Sequence, residues 1–178
     1  LGLVSGYVGG KTDAAISRLL DLFLAFPALV LALAIAAYLG PNERDEIFAI
    51  AFFTIPVYGR YTRAATLRLR EEGFLAANRI LGAKTTYIIV RHVLPNIFGA
   101  LLTFALVTIA GAVLAEAGLS FLGAGIRPPQ PSWGNMIAEG QQYLSSTPHI
   151  FLVPSAFLFV TILALNLLGD VIQERLNV

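Results

Sequence analysis

The stretch from Val93 to Ala115, VLPNIFGALLTFALVTIAGAVLA, has 23 residues and no charged side chain. Because an α-helix needs about 20 mostly apolar residues to cross the hydrocarbon core of a bilayer, this stretch predicts a transmembrane helix. The composition of the whole chain agrees, since 57% of its 178 residues are hydrophobic and 13% are charged. A soluble domain usually carries about 25% charged residues, so the chain is expected to be surrounded by lipid.

Three other apolar runs predict further spans. The run from Leu22 to Asn42 has 21 residues without a charge, and the run from Gly140 to Gly169 has 30. Two prolines and a histidine interrupt the second run, so its span is expected to begin near His149. The run from Ile47 to Gly59 has only 13 residues. It reaches the length of a span if the two arginines that follow extend their charged ends to the interface.

These runs predict an all-α protein, a polytopic transmembrane helical bundle with four complete spans in a single domain, residues 1–178. The apolar segment from Leu1 to Val8 is interpreted as the end of another helix whose beginning precedes this sequence. The chain is therefore expected to be an N-terminally truncated fragment. It contains no cysteine, which excludes disulfides, thiolate metal sites and cysteine nucleophiles.

Positive charges predict the orientation, because cytoplasmic loops of membrane proteins carry an excess of Lys and Arg. If the turn at residues 9–18, residues 60–91 and the C-terminus share one side, ten of the 12 basic residues lie there and only Arg44 and Arg127 lie opposite. The C-terminus is thus expected in the cytoplasm. A cytoplasmic segment is predicted at about residues 67–94, and an extracytoplasmic loop at about residues 118–148.

The cytoplasmic segment contains a predicted amphipathic helix, from Phe74 to Leu81. At 3.6 residues per turn, five apolar residues fall on one side: Phe74, Ala76, Ala77, Ile80 and Leu81. Asn78 and Arg79 fall on the other side, and Leu75 breaks the pattern. Gly82 is expected to end the helix in the left-handed backbone conformation that glycine tolerates.

Such a helix has three possible surroundings: the lipid interface, its own bundle, or a groove on a partner protein. Small residues favour the partner, because they permit close approach of another surface; these are Ala76, Ala77, Gly82 and Ala83. A second short helix, from about Lys84 to His92, is expected to follow. Pro95 then opens the next span, at a position where a missing N–H costs little.

The stretch AANRILGAKTTYIIVRHVLPN, Ala76 to Asn96, resembles the "EAA" coupling motif of ABC importer permeases. That motif reads Glu-Ala-Ala, three residues, Gly, nine residues, Ile, any residue, Leu-Pro. Gly82, Leu94 and Pro95 stand at the required spacing. Three positions depart from the motif, with Ala76 in place of the glutamate, Asn78 in place of the second alanine and His92 in place of the isoleucine.

The rest of the chain resembles the C-type permease subunit of dipeptide, oligopeptide and nickel importers, which has a MetI-like fold. The similar stretches are LGLVSGYVGG (residues 1–10), RLLDLFLAFP (18–27), AEAGLSFLGAGIRPPQPSWGNMIAEG (115–140) and NLLGD (166–170). Members of that family have six spans, so the resemblance implies that the first span and most of the second precede this sequence.

The resemblance also implies partners: a second related permease, two cytoplasmic ATPase subunits that bind ATP and magnesium, and an extracytoplasmic solute-binding protein. This chain would hold no cofactor of its own, and it would lie in a bacterial-type plasma membrane. The solute stays open among dipeptides, longer peptides, glutathione-like compounds and nickel chelates. The residues implied to couple to the ATPase are Phe74, Ala76, Ala77, Asn78, Arg79, Gly82, Ala83, Lys84, Leu94 and Pro95.

Two residues on the predicted extracytoplasmic side are candidates for other contacts. Glu116 lies at the end of a predicted span, where an acid is costly and often functional, although it also reaches interfacial water. It is a candidate for the translocation pathway or a subunit contact. Trp133, in the proline-rich loop, is either an interfacial anchor or a contact for the binding protein. The resemblance favours the contact.

Catalytic motifs are missing from the sequence. It contains no GxxxxGK[ST] phosphate-binding loop and no nucleophile elbow, so ATP hydrolysis is expected on partner subunits. His92 and His149 are expected on opposite faces of the membrane, where they cannot share a metal. The rival interpretation is a self-contained channel or ion-driven carrier. No predicted span carries a charge at its centre, which disfavours an ion-driven carrier.

Overall fold

In the computed structural model, which describes residues 1–39 and 43–176, the chain is helical and those residues contain no β-strand. The all-α prediction is therefore confirmed. A π-helical turn (Ile89–Val93) joins α6 to α7, and a 3₁₀ turn (Gln141–Tyr143) follows α8. The α-helices of the described residues are α1 (Gly2–Val8), α2 (Gly10–Leu24), α3 (Ala28–Leu39), α4 (Glu43–Arg70), α5 (Gly73–Ile80), α6 (Thr85–Ile88), α7 (Leu94–Phe121), α8 (Trp133–Gly140) and α9 (His149–Leu176).

The chain folds into two compact units. The first comprises Leu1–Ala25, Thr54–Phe104 and Ile172–Val178, and the second comprises Phe26–Phe53 and Ala105–Val171. The core of the first unit is formed by Tyr7, Leu75, Ile88, Val93 and Ile97. The core of the second unit is formed by Ala32, Ala49 and Leu119. The single transmembrane domain proposed for residues 1–178 stays a prediction.

Within the first unit, α1 lies in close contact with α4. A Cβ atom on Gly2 would lie 2.9 Å from the backbone nitrogen of Arg63, and one on Gly6 would lie 2.8 Å from its carbonyl oxygen. Real Cβ atoms do not approach backbone atoms so closely, so only glycine permits this packing. Close contact through small residues is typical of helices that pair inside membranes.

An ion pair fastens α2 to α4 in the same unit. Asp13 accepts two hydrogen bonds from the guanidinium of Arg63, each 2.6 Å long. The hydroxyls of Ser5 and Ser17 also donate to Asp13. Bidentate charge-assisted bonds are stronger than neutral ones and fix the orientation of both side chains. This cluster therefore sets the position of α2 against α4.

Among the described residues, two helical stretches are long and apolar enough to cross a membrane, Thr85–Phe121 and His149–Arg175. The pair Gly10–Leu24 and Ala28–Tyr38 passes the same test as one bent span. The start of the last span near His149 is confirmed, but the count of four complete spans is not. The predicted span at Ile47–Gly59 lies inside α4, which carries three acidic residues in its first turn and two arginines in its last and is not among these stretches.

The run from Leu22 to Asn42 does not form one continuous helix. α2 ends at Leu24 and α3 begins at Ala28, with Pro27 between them. Proline lacks the N–H donor and disfavours helical backbone in the residue before it, so it breaks the run although no charge interrupts it. The last three residues of the predicted span, 40–42, lie outside the described residues.

The second short helix predicted from Lys84 to His92 is not separate. α6, the π turn and α7 follow one another without interruption, and the helical stretch Thr85–Phe121 has 37 residues. Pro95 cannot donate a hydrogen bond to the carbonyl one turn earlier, and the π turn immediately before it accommodates the missing donor. The segment that follows α5 is therefore continuous with a candidate membrane span.

Candidate functional site

α5 forms where the amphipathic pattern predicts a helix. It covers Gly73–Ile80, and Gly82 follows two residues later with φ +78°. The predicted left-handed glycine is thus confirmed. A Cβ atom on Gly82 would meet no other residue within 4 Å. Backbone conformation, rather than lack of space, is therefore the reason for a glycine at this position.

The side of α5 that packs on the rest of its chain is opposite the predicted apolar side. Leu75 is fully buried, in a core with Tyr7, Ile88 and Val93. The Nε of Arg79 donates to the Tyr7 hydroxyl at 2.9 Å, and the guanidinium lies 4.7 Å from the centroid of the Tyr7 ring. Leu75, which breaks the apolar pattern, does lie on the other side of the helix, where this leucine and the stem of Arg79 anchor α5.

The five apolar residues on the other side of α5 stay exposed. Ile80 is 86% exposed, Leu81 84% and Phe74 42%. Large apolar side chains that lie together at such exposure indicate a contact surface. The described parts of the chain leave this side of the helix uncovered. We call it the α5 outer face, and it consists of Phe74, Ala76, Ala77, Ile80 and Leu81.

The remaining predicted coupling residues have different surroundings. Asn78 donates to a carbonyl oxygen one turn earlier in α5, at 2.8 Å. Ala83 is half-buried against the core of the first unit, and Lys84 is exposed at the residue before α6. Eight of the ten predicted coupling residues therefore lie on α5 or in the four residues that follow it. Leu94 and Pro95 lie at the start of α7.

Glu116 lies on α7 in the second unit and organises the loop that follows. Its Oε1 accepts hydrogen bonds from the hydroxyls of Ser120 at 2.8 Å and Ser132 at 2.7 Å. The Ser132 Oγ also accepts from the backbone N–H of Gly134 and so caps α8. The Ser120 Oγ accepts from the backbone N–H of Ile126. One carboxylate oxygen therefore fixes both the turn after α7 and the start of α8.

A cavity of about 320 Å³ opens beside Glu116. Small-molecule sites have volumes of about 300–1,000 Å³, so this cavity falls at the small end of that range. The structure brings Glu116 and Trp133, the two candidates of the predicted extracytoplasmic side, to the same cavity. Its wall consists of Glu116, Ile126, Pro131, Ser132, Trp133 and Met136.

A second carboxyl group, Glu46, is buried in the same unit at the start of α4. Its side chain is 6% exposed and its Oε1 has no hydrogen-bond partner. A Cβ atom on Gly125 would lie 2.8 Å from that oxygen, so the loop backbone closes over it. Glu46 precedes the apolar run of α4. Its burial, together with the negative charges of Glu116 and Glu43, raises the pKa of this carboxyl to about 7.

Several of these residues were not anticipated from the sequence. Ser132 carries a usable signal, because a serine directly before an amphipathic segment is a preferred helix cap. Glu46 carries no such signal, since its neighbour Glu116 lies far away along the chain. Arg79 was anticipated as a coupling residue, but its partner Tyr7 could not be inferred from spacing.

The two histidines belong to different units. His92 lies near the rings of Phe74 and Tyr87, with centroid distances of 6.4 and 5.6 Å. His149 is the first residue of α9. Within residues 1–39 and 43–176, no group of three or more His, Cys, Asp or Glu side chains is placed to hold a metal ion.

Comparison with known proteins places the chain among transport components. The family described as binding-protein-dependent transport system inner membrane component matches residues 1–177. The dipeptide transport system permease protein DppC of Alkalihalophilus pseudofirmus is 38% identical over 177 residues, which cover 99% of this chain and 58% of that protein. The glutathione transport system permease protein GsiD of Pectobacterium atrosepticum is 37% identical, covering 99% of this chain and 59% of that protein.

The chain therefore belongs to the family of binding-protein-dependent transport system inner membrane components. The resemblance to ABC importer permeases is confirmed, and the family consists of transport subunits rather than enzymes. The chain spans less than two thirds of the length of these relatives, 58% of DppC and 59% of GsiD.

Proposed function

We propose that the protein is the permease subunit of an ATP-driven importer and that the α5 outer face contacts an ATPase subunit. The exposure of this face carries the proposal, because Ile80 and Leu81 are 86% and 84% exposed on a helix whose opposite side is anchored. An amphipathic helix that docks in a groove presents apolar residues three and four positions apart, which is the spacing of Phe74, Ala77 and Leu81 on this face. Ala76 and Ala77 leave the middle of the face shallow, which favours close contact with protein.

The anchoring of α5 supports a mechanical role. Leu75 packs with Ile88 and Val93, which both belong to the continuous helical stretch Thr85–Phe121. A displacement of α5 would therefore be passed to this long helix. ATP shifts a conformational equilibrium only by its different affinity for the two states. A near-complete switch needs about 5.5 kcal/mol, which a packed helix transmits and a loose loop does not.

The proposed complex contains a second related permease, two cytoplasmic ATPase subunits that bind ATP and magnesium, and an extracytoplasmic solute-binding protein. This chain would cross the inner membrane four times, with α5 and the C-terminus in the cytoplasm. The distribution of Lys and Arg supports that orientation, because ten of the 12 basic residues fall on the proposed cytoplasmic side.

Short peptides are the proposed solutes. The DppC relative is named for dipeptide transport and the GsiD relative for glutathione transport. Both solutes are small peptides with charged ends. The binding protein would select among them before the permease meets the solute.

ATP hydrolysis by the reconstituted complex tests this function. With the full-length subunit present, the solute-loaded binding protein should stimulate hydrolysis several-fold, because the signal must cross the membrane through the permease. Complexes assembled without this subunit should show no stimulation. Full stimulation and uptake in its absence would contradict the proposal.

A further inference from the structure

Two carboxyl groups of the second unit have no cationic partner. Neither Glu46 nor Glu116 forms an ion pair with any residue that the structure describes. Arg127, which follows a residue of the cavity wall, is exposed and forms no ion pair either. An acid of low exposure without a counter-charge is costly, and such sites are stabilised when a cation binds.

The hydrogen bonds of Glu116 leave one side of its carboxylate open. Both serine hydroxyls donate to Oε1, from Ser120 at 2.8 Å and from Ser132 at 2.7 Å. No described residue donates to Oε2. The carboxylate is therefore held in a fixed orientation at the edge of the cavity, and one oxygen remains free to accept a hydrogen bond from a ligand.

We propose that this cavity binds a cationic nitrogen, a primary ammonium or a guanidinium, on a short apolar stem. The Glu116 carboxylate would accept the charged N–H group, and the Trp133 ring would attract the same cation through its π face. Met136, Pro131 and Ile126 would contact the stem. Because the serines already orient the carboxylate, little ordering is lost on binding.

Two sources can supply this cation in the proposed complex. One is the free amino group or a basic side chain of a peptide solute. The other is a lysine or arginine of the extracytoplasmic binding protein. The choice between these sources rests on the proposed function, whereas the cation site itself rests on the cavity and on the carboxylate of Glu116 in its wall.

Direct titration tests the site, with n-butylguanidinium as the probe and neutral n-butylurea as its isostere. Trp133 is the only tryptophan among the 178 residues. The purified complex should show a saturable change in tryptophan fluorescence with butylguanidinium, and the same complex carrying Trp133→Phe should not. Butylurea should give no saturable change. An equal response of the unmodified complex to both probes would overturn the proposal.

A matched pair of charge-removing variants locates the binding site. Glu116→Gln keeps an oxygen for the two serine hydroxyls but removes the charge, so affinity for butylguanidinium should fall about tenfold or more. Glu139→Gln, on the exposed side of α8, makes the same change outside the cavity wall and should leave the affinity unchanged. Unchanged affinity in Glu116→Gln would overturn the proposal.

The pH dependence of binding involves Glu46. The charged groups that act on it are Glu116 on α7 and Glu43 on its own helix. A bound cation favours the ionised carboxyl of Glu46, whose pKa is about 7. Affinity should therefore rise between pH 6 and pH 8, and Glu46→Gln should remove this rise. A rise of the same size in Glu46→Gln would contradict an effect of the Glu46 charge on the bound cation.

Competition distinguishes the two sources of the cation. Displacement of butylguanidinium by a peptide with a free amino group, but not by its N-acetylated form, would assign the site to the solute. Displacement by the peptide-free binding protein would assign it to a basic side chain of that protein. None of these titrations requires ATP hydrolysis, so failure of the cation site and failure of the ATPase contact are observed separately.

Discussion

Gly82→Asp should abolish transport and release the ATPase subunits from the complex, while the permease still inserts into the membrane. Gly82 has φ +78°, a backbone conformation that residues with a side chain rarely adopt. An aspartate there strains the end of α5 by about 1–2 kcal/mol and adds a carboxylate beside the α5 outer face. Co-purification of the ATPase with the detergent-solubilised permease, together with solute uptake into vesicles, measures the effect.

Gly123→Asp is the matched control for this variant. Gly123 has φ +77°, and a Cβ atom there would also meet no other residue within 4 Å. The backbone strain and the added charge are therefore the same, but Gly123 lies outside the α5 segment. Gly123→Asp should keep the ATPase bound. Equal loss of the ATPase in both variants would show that strain alone, and not the place of Gly82, causes the defect.

Ile80→Asp and Leu75→Ala should produce opposite defects. Ile80 is 86% exposed and contributes little to the packing of its own chain, so Ile80→Asp should leave the melting temperature in detergent nearly unchanged. It should nevertheless remove the ATPase, because a charge then occupies the centre of an apolar contact. Leu75 is fully buried, and shortening it to alanine should destabilise the fold by about 2–5 kcal/mol.

The comparison of the two variants separates packing from contact. Leu75→Ala should lower the melting temperature. It should weaken the ATPase interaction only indirectly, because α5 is then less firmly packed on its own chain. If Ile80→Asp lowers the melting temperature as much as Leu75→Ala does, the outer face is covered by the permease itself. The proposed contact with the ATPase would then be wrong.

The sequence predicted those features that depend on local rules. α5 and the glycine that follows it were predicted because periodicity and backbone conformation are read within a few residues. The two longest apolar stretches were likewise recognised as spans. The run from Leu22 to Asn42 was predicted as one span because it contains no charge. Pro27 interrupts its helix in the structure, and the prediction gave this proline too little weight.

Features that depend on distant parts of the chain were not predictable. The side of α5 that turns inward is decided by Tyr7 and Val93, which no local pattern connects to Leu75. The α5 outer face is therefore exposed, and Leu75, which lies on the opposite side, holds the helix in place. The proximity of Glu46 to Glu116 has the same origin, because it arises only when α4 and α7 are packed.

Site-specific cross-linking from position 80 tests the central claim most directly. These 178 residues contain no cysteine, so Ile80→Cys introduces the one thiol among them, on the α5 outer face. A matched thiol at Phe157→Cys, 61% exposed on the predicted last span, serves as the control. In the assembled full-length complex, a short reagent with one thiol-reactive end and one photoreactive end should join Ile80→Cys to the ATPase subunit. It should not join Phe157→Cys to that subunit. Labelling of Ile80→Cys only by a lipid-soluble reagent, with no ATPase adduct, would contradict the account.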